Sequence, residues 1–207
     1  MTSQQDWDGV RSMSDRIPPL PREQLNPEQR EFRDHFIESV QRSAPHPGAA
    51  DRASKTLFPV LAVLPKSGRH SVDLLVDLEE ESKAFLPKDA AETVSLLTTS
   101  YFKSGFVTHV HKMMDVKLGL LTQEQADTIS TCKKPADLNE NCSLAYDAAW
   151  HMLDVRGPFP QELWERCVAA FKVEGAVGIM HFVGLLTWTA LGLNIANVPV
   201  PSGPPPG

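Results

Sequence analysis

The sequence predicts an all-α protein of about seven helices in a single domain. Apolar residues recur at helical spacing through the longest patterned stretch, at Val94, Leu97, Tyr101, Phe102, Phe106, Val110 and Met113. Helix starts and stops bracket the patterned stretches, as in Asn26-Pro27-Glu28 and in Gly119 followed by Thr122-Gln123-Glu124-Gln125. Only one short run, Phe58 to Leu64, reads as a strand or buried extended segment, and Pro59 interrupts it. No repeat at a solenoid period stands out.

In chain order, residues 1–15 are polar, with Trp7 as the sole anchor, and are expected to be disordered. Arg16-Ile17-Pro18-Pro19-Leu20-Pro21 is extended, because consecutive prolines lack donors and forbid helix. A first helix starts at Asn26-Pro27-Glu28, carries Phe32, Phe36, Ile37 and Val40 on one stripe, and ends near Ala44-Pro45. His46 to Lys55 reads as a loop. His70 to Phe85 is an amphipathic helix with Val72, Leu75, Val76 and Leu78 inward and Glu79-Glu80-Glu81 as a solvated face.

The central stretch, Leu86 to Leu121, opens at Pro87 with Lys88, Asp89 and Glu92, contains a break at Ser104-Gly105, and closes at Gly119. Thr122 to Thr131 is a short helix and Asn141 to Val155 another, with Leu144, Ala148, Trp150 and Leu153 apolar. Gly157-Pro158-Phe159-Pro160 breaks that helix. Gln161 to Phe171 and about Glu174 to Ile195 are the last two helices. Residues 16–200 form the helical domain, and residues 201–207 belong to a flexible Pro/Gly tail.

The chain has 207 residues and a net charge of −6. Without a Lys/Arg cluster, that balance argues against nucleic acid as a partner. The three cysteines, Cys132, Cys142 and Cys167, form no CxxC and read as reduced thiols of a cytoplasmic protein. The first residues have no apolar core and do not read as a secretory signal. Gly175 to Leu193 runs without a charge for about a bilayer's span. His181, Thr187, Thr189 and the lack of flanking basic clusters favour the centre of a helical bundle and no membrane.

Chemistry, if present, belongs to the central stretch. His109 and His111 are two apart, which turns them about 200° from one another on a helix. They cannot chelate one metal from a regular helix, and no metal site is expected. His109 shares a face with Phe102, Phe106, Met113 and Val116 and reads as a core histidine satisfied by a backbone partner. His111 shares its half-polar face with Ser104, Val107, Thr108, Asp115 and Leu118. Asp115, one turn on, could hold the ring and raise its pKa; a surface i,i+4 pair is the plain alternative.

Glu92 in a first turn is ordinarily a dipole or capping residue. Tyr101 and Lys103 beside the break could supply a proton donor and a carboxylate-binding charge, or be a core aromatic and a solvated lysine. His181, with Trp188 two turns on, is a pocket residue or a buried histidine. No phosphate loop, GxSxG elbow or HExxH occurs.

The segments RIPPLPREQLNPEQREF, LPKDAAETVSLL, His111 followed by KMMDVKLGLL, and GIMHFVGLLTWTALGLNIANVPVPSG resemble, in order, the carboxymuconolactone decarboxylase family, which shares the alkylhydroperoxidase D fold. The resemblance covers most of residues 16–203. It implies an all-helical subunit assembling into trimers or hexamers, with pockets between helices. The peroxidase branch keeps a glutamate, a CxxC and a histidine. Glu92 and His111 match, whereas the cysteine positions fall on Ser104 and Val107, so thiol peroxidase chemistry is disfavoured. Val107 and Thr108 also replace an acidic-aromatic pair found in many non-peroxidase relatives.

The resemblance implies a cofactor-free lyase acting on a small enolisable carboxylic acid or lactone. His111 would be the general acid, tuned by Asp115 or Glu92. His109, Lys103, Tyr101, Ser104, His181 and Trp188 are the candidate substrate-binding residues. An isomerase, dehydratase or cyclase using the same pocket without CO2 loss is the second expectation, and a non-catalytic oligomeric scaffold the third.

Overall fold

The structure, a computed structural model, describes residues 14–43 and 48–201. Residues 1–13, with Trp7, residues 44–47 at the end of the first expected helix, and residues 202–207 of the tail lie outside the described residues. All regular structure among the described residues is helical. The helices are α1 (Pro27–Ser43), α2 (Ala49–Leu61), α3 (Pro65–Ser82), α4 (Lys88–Tyr101), α5 (Gly105–Lys117), α6 (Gln123–Ser130), α7 (Glu140–Trp150) and α8 (Gln161–Ala196). A 3-10 turn covers Arg22–Gln24, and a π turn, His151–Val155, extends α7.

The count of eight differs from seven for three local reasons. The segment read as loop and strand is helix α2, which carries Pro59 inside it. Proline lacks one donor and clashes with the preceding turn, so α2 forgoes the ladder bond from residue 59 to Lys55 and continues for only two further residues. The central stretch splits into α4 and α5. The last two expected helices are counted together as α8, although Lys172, with φ 59° and ψ −179°, breaks helical geometry between them just after Phe171, where the sequence places the break.

The chain divides into two compact units, Met1–Asp77 with Gly192–Gly207, and Leu78–Leu191. In the first, α1 packs on α2. Phe32 and Phe36 from α1 meet Phe58 from α2, with ring centroids 5.4 and 5.5 Å away. Leu25, Leu61, Ala62 and Val72 complete this core. α3 begins five residues earlier than expected, with Pro65 in the favoured first helical position. Gly68 lets α3 approach α2, since a Cβ there would lie 2.5 Å from the Leu61 carbonyl oxygen.

In the second unit α4 packs against α5, α6 and α7. Residues 93–100 are buried without interruption, so α4 is enclosed on all sides rather than amphipathic. Its hydroxyls avoid the cost of burial by bonding back to the preceding turn: Thr93 to Asp89 O, Ser95 to Ala91 O, Thr98 to Val94 O and Ser100 to Leu96 O. Gly119, with φ 68°, closes α5, and Leu120 N–H reaches back to Asp115 O. Thr122 and Gln125 form the expected capping box of α6.

α8 passes, by length and composition, as a helix able to cross a bilayer, and half of its most apolar window is buried. Phe171, Ile179, Phe182, Leu186 and Ala190 lie on its packed face. Val173, Val177, Met180, Trp188 and Leu191 are exposed. The expectation of an enclosed central helix therefore describes one face only.

Candidate functional site

The site is built by the hairpin of α4 and α5. The chain leaves helical geometry at Phe102–Ser104, where Lys103 takes a φ of 53°. Lys103 N–H donates to Ser100 O and Ser104 N–H to Thr99 O, and α5 packs back on α4. At about 1.5 Å per residue, Glu92 lies about 15 Å before the turn, and His111 and Asp115 lie about 11 and 17 Å after it. Counting outward from the turn therefore brings Glu92 level with the His111–Asp115 step.

His111 Nδ1 lies 3.0 Å from Glu92 Oε2. Both side chains are 25% exposed, so the pair is partly shielded and still reachable from outside. Asp115 is 1% exposed, and neither carboxyl oxygen has a hydrogen-bond donor. One nitrogen or oxygen from each of Glu92, His111 and Asp115 falls within 4.8 Å of the others. Two carboxyl groups this close gain a donor only when one keeps its proton and gives an O–H···O bond to the other.

Electrostatics follow from that crowding. Burial pushes the Asp115 carboxyl up, and the Glu92 charge adds to it, to about 8. Burial, again with Glu92, holds the Glu79 carboxyl at about 7. For His111, burial alone favours the neutral ring. The Glu92 hydrogen bond and the charges of Glu92, Asp115 and Glu79 outweigh it and raise the pKa. Burial opposes ionisation of Glu92 too, yet its bond to His111 leaves its pKa lowered. The cluster thus favours a protonated Asp115 carboxyl at neutral pH, beside a hydrogen-bonded His111–Glu92 pair whose mutual attraction favours the charged forms.

No family model and no curated protein sequence matches this chain.

What the cluster can do is therefore decided by its own chemistry. A positioned imidazole held through Nδ1 by a carboxylate is equipped to give or take a proton at Nε2. The same imidazole and two carboxylates are also a ligand set of mixed nitrogen and oxygen character.

The remaining expected site residues do not join this cluster. Tyr101 stands at the turn end of α4, its ring edge-on to Trp150 and its hydroxyl 3.4 Å from Asp154 Oδ1 and 3.3 Å from Arg156 Nη2. Lys103 is exposed at the turn itself. Ser104 is buried, and its hydroxyl is occupied by Ala190 O at 3.3 Å. His181, expected in a pocket or buried, is exposed, and Trp188 is exposed beside it on α8. His109 is half-buried, but its Nε2 has no hydrogen-bond partner, which corrects the expectation of a backbone acceptor. Burial and then Lys112 lower its pKa, so it is neutral.

Two placements depart from the pattern. Glu92 lies in the second turn of α4, where Asp89 takes the dipole position, and its partner is a histidine rather than the helix end. Glu79 was expected on a solvated face and is instead half-buried. It continues the inward row of Val72 and Val76 at helical spacing, and that row is the signal that could have found it. The shallow cleft lined by Glu28, Glu31, Phe32, Pro65, Lys66 and Arg69 gathers no comparable acid–base set.

Proposed function

We infer that Glu92, His111 and Asp115 form the catalytic centre of a lyase acting on a small enolisable carboxylic acid or lactone. The observation that carries this reading is the 3.0 Å contact between His111 Nδ1 and Glu92 Oε2 on a half-shielded face. Glu92 orients the ring and leaves Nε2–H as the proton to be given. Loss of CO2 sends the electrons of the breaking carbon–carbon bond into a dienolate, and the His111 proton then closes the reaction at carbon. The protonated Asp115 carboxyl spares the substrate's carboxylate a second negative neighbour. It also supplies an acid within reach of Glu92 for returning the proton.

The resemblance to the carboxymuconolactone decarboxylase family supports the same reaction class and an alkylhydroperoxidase D-like bundle. It also supports self-association as a trimer or hexamer, for which the exposed apolar row of α8 offers a surface. Light scattering after gel filtration tests that assembly, and a monomer would refute it.

The test of activity is mass spectrometry of carboxylated lactones and β-keto acids incubated with the protein in D2O and chelator. The expected result is loss of CO2 with one deuteron on carbon, faster than without protein. Deuteration with the carboxyl retained would replace the lyase with an isomerase using the same residues. A positioned proton donor contributes about 10²–10⁴-fold, so His111→Ala costing less than tenfold would remove His111 from its role.

A further inference from the structure

The buried Asp115 carboxyl is a feature that proton transfer does not require. It is 1% exposed, both its oxygens lack donors, and both belong to a residue whose neighbours are further acids. Among the described residues no lysine or arginine nitrogen forms an ion pair with Glu79, Glu92 or Asp115, and the sole ion pair of the group is Glu92 with His111. Lys83 and Lys88 act on it only from a distance. In the chain alone Asp115 escapes the cost of a buried charge by keeping its proton. A cation bound in place of that proton would meet three carboxyl groups and one imidazole, with no lysine or arginine paired to them.

We propose that Glu92, His111 and Asp115 bind one first-row divalent cation of the Mn²⁺, Fe²⁺ or Zn²⁺ kind. Their ligand-capable atoms already lie within 4.8 Å of one another. Bonds of about 2.0–2.2 Å to one ion put neighbouring ligand atoms roughly 3.4 Å apart in tetrahedral geometry. The gap is therefore at most about 1.4 Å, which side-chain rotation of the flexible Glu92 can close. Imidazole favours zinc and iron, and carboxylates favour manganese and magnesium; one imidazole with two carboxylates selects the borderline ions between. Glu92 and His111 are partly exposed while Asp115 is buried, so the outer pair gives an entry path and the inner carboxylate a floor.

Three protein ligands leave at least one coordination position for water or another small ligand. Glu79, half-buried nearby, supplies the remaining negative charge without being needed as a ligand. The binding site goes beyond the proton-transfer reading and does not depend on it. A bound cation takes the lone pairs and carboxylate oxygens that proton transfer uses, so it would switch that chemistry off.

The test is calorimetric titration of the chelator-stripped full chain with Zn²⁺ at pH 7, without substrate, so that its outcome is independent of any assay of turnover. One equivalent is expected to bind, with proton release that shows as a buffer-dependent heat. Glu92→Gln and Asp115→Asn should each weaken binding at least tenfold, while Asp73→Asn, at the separate His35–Asp73 pair, should not. Wild-type protein also gives a readout that needs no variant. One equivalent of Zn²⁺ should move the His111 ring resonances and leave those of His35, His70 and His151 in place. Absence of stoichiometric binding, a loss under tenfold in either ligand variant, or movement of other histidines in place of His111 overturns the proposal.

Discussion

Asp115→Asn is the sharpest single perturbation of the cluster, because it removes the titratable proton and keeps the shape. In the folded chain the carboxyl is held to about 8 from an ordinary 3.8. The unfolded chain releases that proton just above pH 4, whereas the folded chain keeps it to about pH 8. Stability from this group is therefore complete below pH 4 and is lost as pH rises toward 8. One proton differing between the two states gives a slope of about 1.4 kcal/mol per pH unit, or about 3 kcal/mol between pH 5 and pH 7. For a chain of this size that is roughly 6–12 °C in melting temperature.

Glu79, also raised, adds to the same slope up to about pH 7. His111, raised as well, loses its contribution in the same direction as it deprotonates. Lys88 opposes both carboxyl shifts, and Lys83 that of Glu79. Glu92, lowered, acts only in acid, below the range of interest. The assay is urea denaturation at pH 5, 6 and 7 with constant ionic strength and chelator. Wild type should weaken across the series, and Asp115→Asn should lose about half of that dependence, the Glu79 share remaining, and be the more stable protein at pH 8. A wild-type profile flat within about 1 kcal/mol, or a variant as steep as wild type, would refute the protonated, buried Asp115.

Glu92→Gln should lower the His111 pKa, because the hydrogen bond and charge that raise it are weakened; a ring-carbon NMR titration reads this, and an unchanged value would refute the pairing. Gly68→Ala should destabilise by about 1–3 kcal/mol, since its Cβ would meet the Leu61 carbonyl and the Phe32 ring at 2.5 and 2.9 Å; a melting temperature within a degree of wild type would refute that close approach. Thr122→Ala should cost about 1 kcal/mol by removing the acceptor for Gln125 N–H, and Thr122→Ser should restore most of it.

The helices that local chemistry defines were legible in the sequence. Asn26-Pro27-Glu28 starts α1, Gly119 ends α5, and Thr122 with Gln125 starts α6, because capping depends on residues a few positions apart. α2 was obscured by Pro59, since a breaker late in a helix leaves the same sequence mark as one between elements. The enclosed α4 was obscured by its Ser and Thr content. Their hydroxyls bond to their own helix, so polar composition did not signal exposure.

The site was legible residue by residue and not as a set. A helical wheel compares side chains within one helix, and it correctly separates His109 from His111 by face. It cannot compare faces of two helices joined by a turn, because that depends on where the turn falls. Shifting the Phe102–Ser104 turn by one residue would move α5 by about 1.5 Å along α4 and about 100° around its own axis, parting His111 from Glu92. Ser104-Gly105 announces a break, but the positive φ falls on Lys103, and that fixes the register. The information that assembles Glu92, His111 and Asp115 therefore resides as much in an unremarkable lysine at the turn as in the three residues themselves.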